Sequence, residues 1–505
     1  MLVWFVAIYL LVSIGIGLYA ATRVHSTKDY VVAGRHLPLY IVTATVFATW
    51  FGSETVLGIS AKFVQDGLRG IIEDPFGSSM CLILVGLFFA AKLYKMNLLT
   101  IGDYYRQRYN RTVEVLTSLA IVASYLGWVS AQVTALGLVF SIVSNGAMSP
   151  TEGMLVGAAI VLVYTLFGGM WSVALTDFFQ MTIIVIGMLY LAYLVSGMAG
   201  GFGVIVDHAA AAGKFEFWPA LKTKDVLAFI AAWVTMMFGS IPQQDVFQRV
   251  MSAKSERTAV TGAVLGGSLY FVFAFVPLFL AYSATLIDPK MVADLIDKDP
   301  QHILPTLIMN HTPVFAQVMF FGALLSAIMS TASGTLLAPS VAFTENVLKG
   351  IIGHQSDRHF LWTMRVVVVC FAVIVTLFAL NSGASIYEMV GNAYKVTLVV
   401  AFVPLVCGLY WKRANTQGAL FAIAFGLFSW LLLEALAPAD SIWPPQLAGL
   451  LMSVTGMVIG SLTPHFVGRP TPLEPAHMHH PAALTHHVAE PTHHHPHVEH
   501  HAKSE

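Results

Sequence analysis

Runs of about 20 apolar residues follow one another from Leu2 almost to Pro464, and each is long enough to cross about 30 Å of hydrocarbon as a helix. Within a bilayer every backbone N–H and C=O must find a partner inside the protein. Continuous apolar runs therefore mean helices, whereas a barrel would need short alternating segments. The fold class that follows is an all-α integral membrane protein. The runs place spans at 2–22, 39–64, 76–96, 113–143, 152–168, 173–197, 225–243, 258–286, 313–347, 360–380, 386–411, 415–436 and 445–463, thirteen in all. With 57% hydrophobic and 10% charged residues, an ordinary soluble domain is excluded. The first run has no basic segment before it and is too long for a signal peptide, so it reads as a membrane span.

An odd number of spans puts the termini on opposite sides. Basic residues occupy every second loop: Arg23, Lys28 and Arg35; Lys95, Arg106, Arg108 and Arg111; Arg249, Lys254 and Arg257; Lys349 and Arg358; Lys412 and Arg413. The positive-inside rule makes those loops cytoplasmic, with the N-terminus outside and the C-terminus inside a cell membrane, the inner membrane if the chain is prokaryotic. A net charge of −1 gives no electrostatic case for nucleic acid. Cys81, Cys370 and Cys407 lie in separate apolar runs without metal-ligand spacing and read as packing residues. Residues 465–505 turn to Pro, His, Ala and Glu and have no means of burying a core, so disorder is expected there. Clustered imidazoles such as His493, His494 and His495 can chelate metal, and their irregular spacing argues for adventitious binding.

Two spans carry the same interruption. Thr49-Trp-Phe-Gly-Ser-Glu54 and Met237-Phe-Gly-Ser-Ile-Pro242 both put Phe-Gly-Ser at mid-helix, five spans apart. Exposed carbonyls at membrane depth are tolerated where they line a cavity or bind something, and the spacing suits an inverted repeat. A further span, Phe320 to Ser340, spends Ser326, Ser330, Thr331, Ser333 and Thr335 on hydroxyls in an apolar setting. Such hydroxyls bond to a carbonyl one turn back, to a neighbouring helix, or to a desolvated cation.

Thr165-Leu-Phe-Gly-Gly-Met-Trp-Ser-Val-Ala-Leu-Thr-Asp-Phe-Phe-Gln180 resembles the signature of the sodium:solute symporter family, and Ser326 to Ser340 resembles its second signature. Ser26 to Arg35 is similar to the stretch after that family's first helix. The resemblance implies a leucine-transporter-type fold. The divisions are a first helix and loop at 1–38, inverted repeats at 39–224 and 225–413, and two peripheral helices at 414–464 before the tail. It implies Na+ as coupling ion and no organic cofactor. The ligands would be the carbonyls of Ala48, Phe51 and Ala327 with the hydroxyls of Ser330 and Thr331. Asp177 would lie on the inner sodium route, or would pair with an arginine.

A solute would sit against the two breaks and the fourth span. The candidates are Trp50, Ser53, Glu54 and Thr55; Tyr125, Trp128 and Gln132; and Trp233, Gln243 and Gln244. Phe47-Ala-Thr-Trp50, Trp128 and Ile241 to Arg249 look most like the family's choline-transporter branch, which encloses a quaternary ammonium in tryptophans. Gln243 stands where a third tryptophan is expected. Glu54 and Asp74 suit a cationic solute, and equally a sodium ion or a pairing with Lys62. Lys395 needs Glu388 or an acid from another span. The reading is a sodium-coupled symporter that imports a small polar organic solute across the bilayer, not an enzyme. A transporter-like sensor, a proton-coupled carrier and a metal-linked permease are the alternatives, and oligomeric state is not legible.

Overall fold

The computed structural model describes residues 1–467, and their secondary structure is helical throughout except for an isolated bridge between Leu37 and Ala253. The histidine cluster at 493–495 lies outside the described residues. Ten helices are long and apolar enough to cross a membrane, eleven when the bent pair Thr223–Gly239 and Gln244–Met251 counts as one span. Two of the long stretches are interrupted by glycines in the left-handed region: Gly169 (φ +52°) divides Pro150–Met198, and Gly67 (φ +67°) divides Glu54–Lys95. Once these are divided, the described residues contain thirteen spans as expected, most with ends shifted by a few residues, while the seventh runs on to Met251 rather than ending at 243. At Gly169 a Cβ would also lie 2.5 Å from the Tyr30 carbonyl oxygen, so both the backbone angle and the space demand glycine.

The spans start where the sequence supplies a cap. Asn110, Ser149, Ser255, Ser356, Ser385 and Asn415 each accept the N–H three residues on, relieving donors that the helix leaves unpaired. Glu388 is spent in this way, accepting the Ser385 N–H at 3.0 Å, so it is not the partner of Lys395. The acid that faces Lys395 electrostatically is Glu73, from another span. Lys62 pairs with Asp66 at 2.6 Å, one turn on, rather than with Glu54 or Asp74. Beyond the eighth span, Asp288 accepts the Met291 N–H and meets His311 Nε2 at 2.7 Å. The His311 hydrogen bond, with the Met291 N–H behind it, holds this carboxyl below the usual carboxylate range. Of the cysteines, Cys81 is buried and Cys370 exposed, so the packing role expected of all three fails for Cys370, which lies on the outer face of its helix.

The hydroxyl-rich helix Val314–Phe343, the ninth span, forms the axis of the bundle. Every residue from Ala323 to Ala342 is buried, which requires neighbours on all sides. Those neighbours are Arg111–Val143, both parts of Pro150–Met198, Asp357–Asn381, Gln244–Met251 and the first span Leu2–Ala21. The first span instead leaves Trp4, Phe5, Ile8 and Leu11 exposed, as a lipid-facing helix does. Thr416–Leu436 and Pro445–Leu462 pack mainly against each other at the edge.

Candidate functional site

The second span is broken at the point its sequence marks. Leu39–Phe47 ends, residues 48–52 run without regular helix, and the chain resumes through a wide turn at Glu54–Ile59 into Ser60–Asp66. No backbone N–H among the described residues reaches the carbonyls of Ala48 or Phe51. The ninth span closes over this gap: Thr331 Oγ1 donates to the Ala48 carbonyl at 3.4 Å, and Ser330 Oγ donates to the Ala327 carbonyl at 3.0 Å. All five residues are fully buried. Ser330 thus makes the ordinary one-turn bond of a membrane hydroxyl, whereas Thr331 reaches across to the break. Carbonyls and hydroxyls of this kind are neutral oxygen donors suited to a hard monovalent cation. The other hydroxyls of the segment are bonded elsewhere, Ser326 to Tyr9 and Thr335 to the Thr331 carbonyl.

Two residues further along the break lies Glu54, 1% exposed. Its carboxylate accepts the Trp128 Nε1–H at 3.1 Å and a Gln132 Nε2–H at 2.8 Å, while the Gln132 oxygen accepts the Ser53 N–H at 3.1 Å. Trp50 Nε1–H donates to Tyr394 OH at 3.0 Å, Tyr394 lies edge-on to Trp128, and Trp128 stacks on Tyr125. Six sequence candidates therefore converge: Trp50, Ser53, Glu54, Tyr125, Trp128 and Gln132. Thr55 points the other way, to the Trp50 carbonyl and Tyr270. A Cβ on Gly52 would lie 2.5 Å from Thr331 Oγ1 and 2.7 Å from Glu54 Oε2. The hydroxyl and the carboxylate are therefore no more than about 5 Å apart, close enough for a charge at one to be felt at the other.

The remaining candidates stand apart. Gln243 bonds to Ser124 and Thr397, one layer along the fourth span. Gln244 accepts the Ile101 N–H at 2.9 Å and contacts Gln248, away from the aromatic cluster. Gln243 is the extended N-cap of Gln244–Met251 and Gln244 its first helical residue, so the two glutamines face different surroundings. Trp233 donates to Met80 Sδ and packs with Phe76, Phe217 and Phe229. Tyr394 and Tyr270 belong to the centre but give no sequence signal beyond an aromatic residue in an apolar run.

Asp177 is tied to the first break from below. It accepts the Thr45 hydroxyl at 2.5 Å and lies 3.6 Å from Arg249, whose guanidinium also meets Asp245 at 3.2 Å and donates to Thr45 at 3.2 Å. Arg249 is therefore not the cytoplasmic loop residue that the sequence suggests. The chain re-enters helix at Gln244 and stays buried to Met251, so Arg249 is 1% exposed and sits between two buried aspartates. Its guanidinium presses on Gly334 of the ninth span, where an added Cβ would overlap Nη2 and force the arginine to move.

A model of the sodium:solute symporter family matches residues 30–426. The chain belongs to the sodium:solute symporter family. Membership makes it a multi-pass membrane transporter and not an enzyme. The human high affinity choline transporter 1 is 28% identical over 457 residues, covering 85% of this chain and 75% of that protein. A sodium/glucose cotransporter of Vibrio parahaemolyticus is 26% identical, covering 90% and 89%. Among solved structures, the substrate-bound outward-open state of a Na+-coupled sialic acid symporter superposes with a TM-score of 0.76 at 19% identity, covering 91% of this symporter and 97% of that chain. Mhp1, a nucleobase-cation-symport-1 family transporter, superposes with a TM-score of 0.58 at 14% identity, covering 85% and 94%. The fold of this symporter is therefore of the leucine-transporter type.

Proposed function

We propose that the protein is a sodium-coupled symporter whose solute is a small organic cation, bound at Glu54 and moved inward by alternating access. One observation carries the choice of solute: a buried carboxylate at the broken helix takes its side-chain hydrogen bonds among the described residues from the neutral donors Trp128 and Gln132, and is flanked by Trp50, Tyr125 and Tyr394. A carboxylate in an aromatic surround favours an ammonium through charge and through ring quadrupoles. Relatives named for choline agree with a cationic solute. The residue at the expected third tryptophan is Gln243, so a smaller ammonium with N–H donors suits this site better than a fully caged quaternary one.

In this reading Na+ is held by the carbonyls of Ala48, Phe51 and Ala327 and the hydroxyls of Ser330 and Thr331. Residues 39–224 and 225–413 act as two inverted repeats that rock about the breaks, with 1–38 and 414–464 as flanking elements and the C-terminus cytoplasmic. A potential of about 100 mV contributes roughly 2.3 kcal/mol per charge, and a tenfold sodium gradient about 1.4 kcal/mol. Together these support concentrative uptake.

Uptake into proteoliposomes, across a panel of amines, amino acids, sugars and carboxylates with and without a sodium gradient, tests both parts. Sodium-stimulated uptake of amines is expected. Uptake driven equally well by a proton gradient alone, or preference for an anionic carboxylate, overturns the reading. So does an unchanged sodium requirement in Ser330→Ala with Thr331→Ala.

A further inference from the structure

Asp74 opens the third span and faces Glu54 electrostatically, but its hydrogen bonds go to Ser78 and Tyr270 rather than to the ion and solute groups named above. It is 3% exposed, and its Oδ1 accepts the Ser78 hydroxyl at 2.5 Å and the Tyr270 hydroxyl. Tyr270 OH lies 3.1 Å from Thr55 Oγ1, which donates to the Trp50 carbonyl at 2.7 Å. The second carboxylate oxygen, Oδ2, is buried and has no hydrogen-bond partner among the described residues. No ion pair among the described residues includes Asp74; Lys62, the lysine closest in sequence, is engaged by Asp66.

A buried carboxylate with one oxygen unpartnered and no basic neighbour is costly unless a cation joins it. Two hydroxyls, those of Ser78 and Tyr270, meet its Oδ1, and the Thr55 hydroxyl stands behind that of Tyr270; each can turn a lone pair toward a cation. One negative charge with neutral oxygens is the donor set of a hard monovalent cation.

We propose that Asp74, Ser78, Tyr270 and Thr55 form a second sodium site, separate from the one at Ser330 and Thr331. It joins the third span (Asp74, Ser78) and the eighth span (Tyr270, in Glu256–Ile287) to the first break through Thr55 and the Trp50 carbonyl. Its occupant therefore ties the outer part of the broken helix to its neighbours, as the first ion ties the break to the ninth span. The proposal rests on the sodium-coupled reading above and goes beyond it in the number of ions.

The test is equilibrium binding of isotopic Na+, with no solute present, to the purified full chain in lipid nanodiscs. The wild type is expected to bind about two ions and Asp74→Asn about one. Ser78→Ala with Tyr270→Phe, which keeps the charge, should weaken one class of site by roughly tenfold. A wild-type count of one overturns the proposal and is the result if a proton or a solute ammonium neutralises Asp74. An Asp74→Asn count equal to that of the wild type also overturns it. Failure of the underlying coupling would look different: Ser330→Ala with Thr331→Ala would then keep the full count.

Discussion

Replacing Glu54 by glutamine removes a charge at the first break while keeping nearly the same shape. Its Oε2 is within about 5 Å of Thr331 Oγ1, because both oxygens crowd the same point beside Gly52. At that separation and an effective dielectric of about 20, two unit charges interact by about 3 kcal/mol. A sodium ion held at Thr331 would lose that attraction in Glu54→Gln. Sodium affinity is therefore expected to fall by on the order of 100-fold, since each 1.4 kcal/mol is about tenfold. Isotopic sodium binding without solute reads this directly, with thermal unfolding as the check that the variant is folded. Sodium affinity within about twofold of wild type, in a folded variant, would refute the idea that the carboxylate and the ion share one electrostatic site.

Arg249→Leu strands two buried aspartates and is expected to cost about 3–5 kcal/mol, read as a lowered unfolding temperature in detergent; Asp177→Asn should cost less, because Arg249 keeps Asp245. Gly334→Ala inserts a methyl into the space of the same guanidinium, with an expected loss of about 1–3 kcal/mol by the same assay. Trp128→Phe removes an N–H from Glu54 and should raise the half-saturating solute concentration, whereas Trp233→Phe, at the distant Met80 contact, should leave it within about twofold. Asp288 has a carboxyl depressed in the folded state, so its contribution to stability is present above the ordinary carboxylate range and is lost as pH falls through the depressed value. The unfolding temperature of Asp288→Asn should therefore lie below wild type at neutral pH and converge with it in acid.

The apolar runs made the spans readable because hydrocarbon leaves helices few alternatives, and the polar oddities in those runs pointed to the centre. Thr331 and Glu54 were visible as groups that an apolar helix has no use for. Arg249 was not, because a buried arginine and a loop arginine look alike until the course of Gln244–Met251 is known. Trp233 and Gln244 illustrate a different limit. Their closeness to the second break along the chain says nothing of direction, and one turns to Met80 while the other turns to the Ile101 amide. Tyr394 had no chance of being singled out, since its role depends on a hydrogen bond from Trp50, 344 residues away.

Gly52 carries a consequence for leakage. A carrier that readily crosses with one passenger aboard dissipates the gradient that drives it. In the proposed reading, with Thr331 and Glu54 crowding the same missing methyl, an ion at one and a cationic solute at the other would be joined through a carboxylate both can sense. Whatever factor sodium applies to solute affinity, solute must return to sodium. The sign of that factor is set by geometry: the ion's attraction to Glu54 competes with its repulsion of the ammonium. A side chain at position 52 would push the two oxygens apart and weaken both terms. In that reading the smallest residue in the break sets how strictly the two passengers travel together.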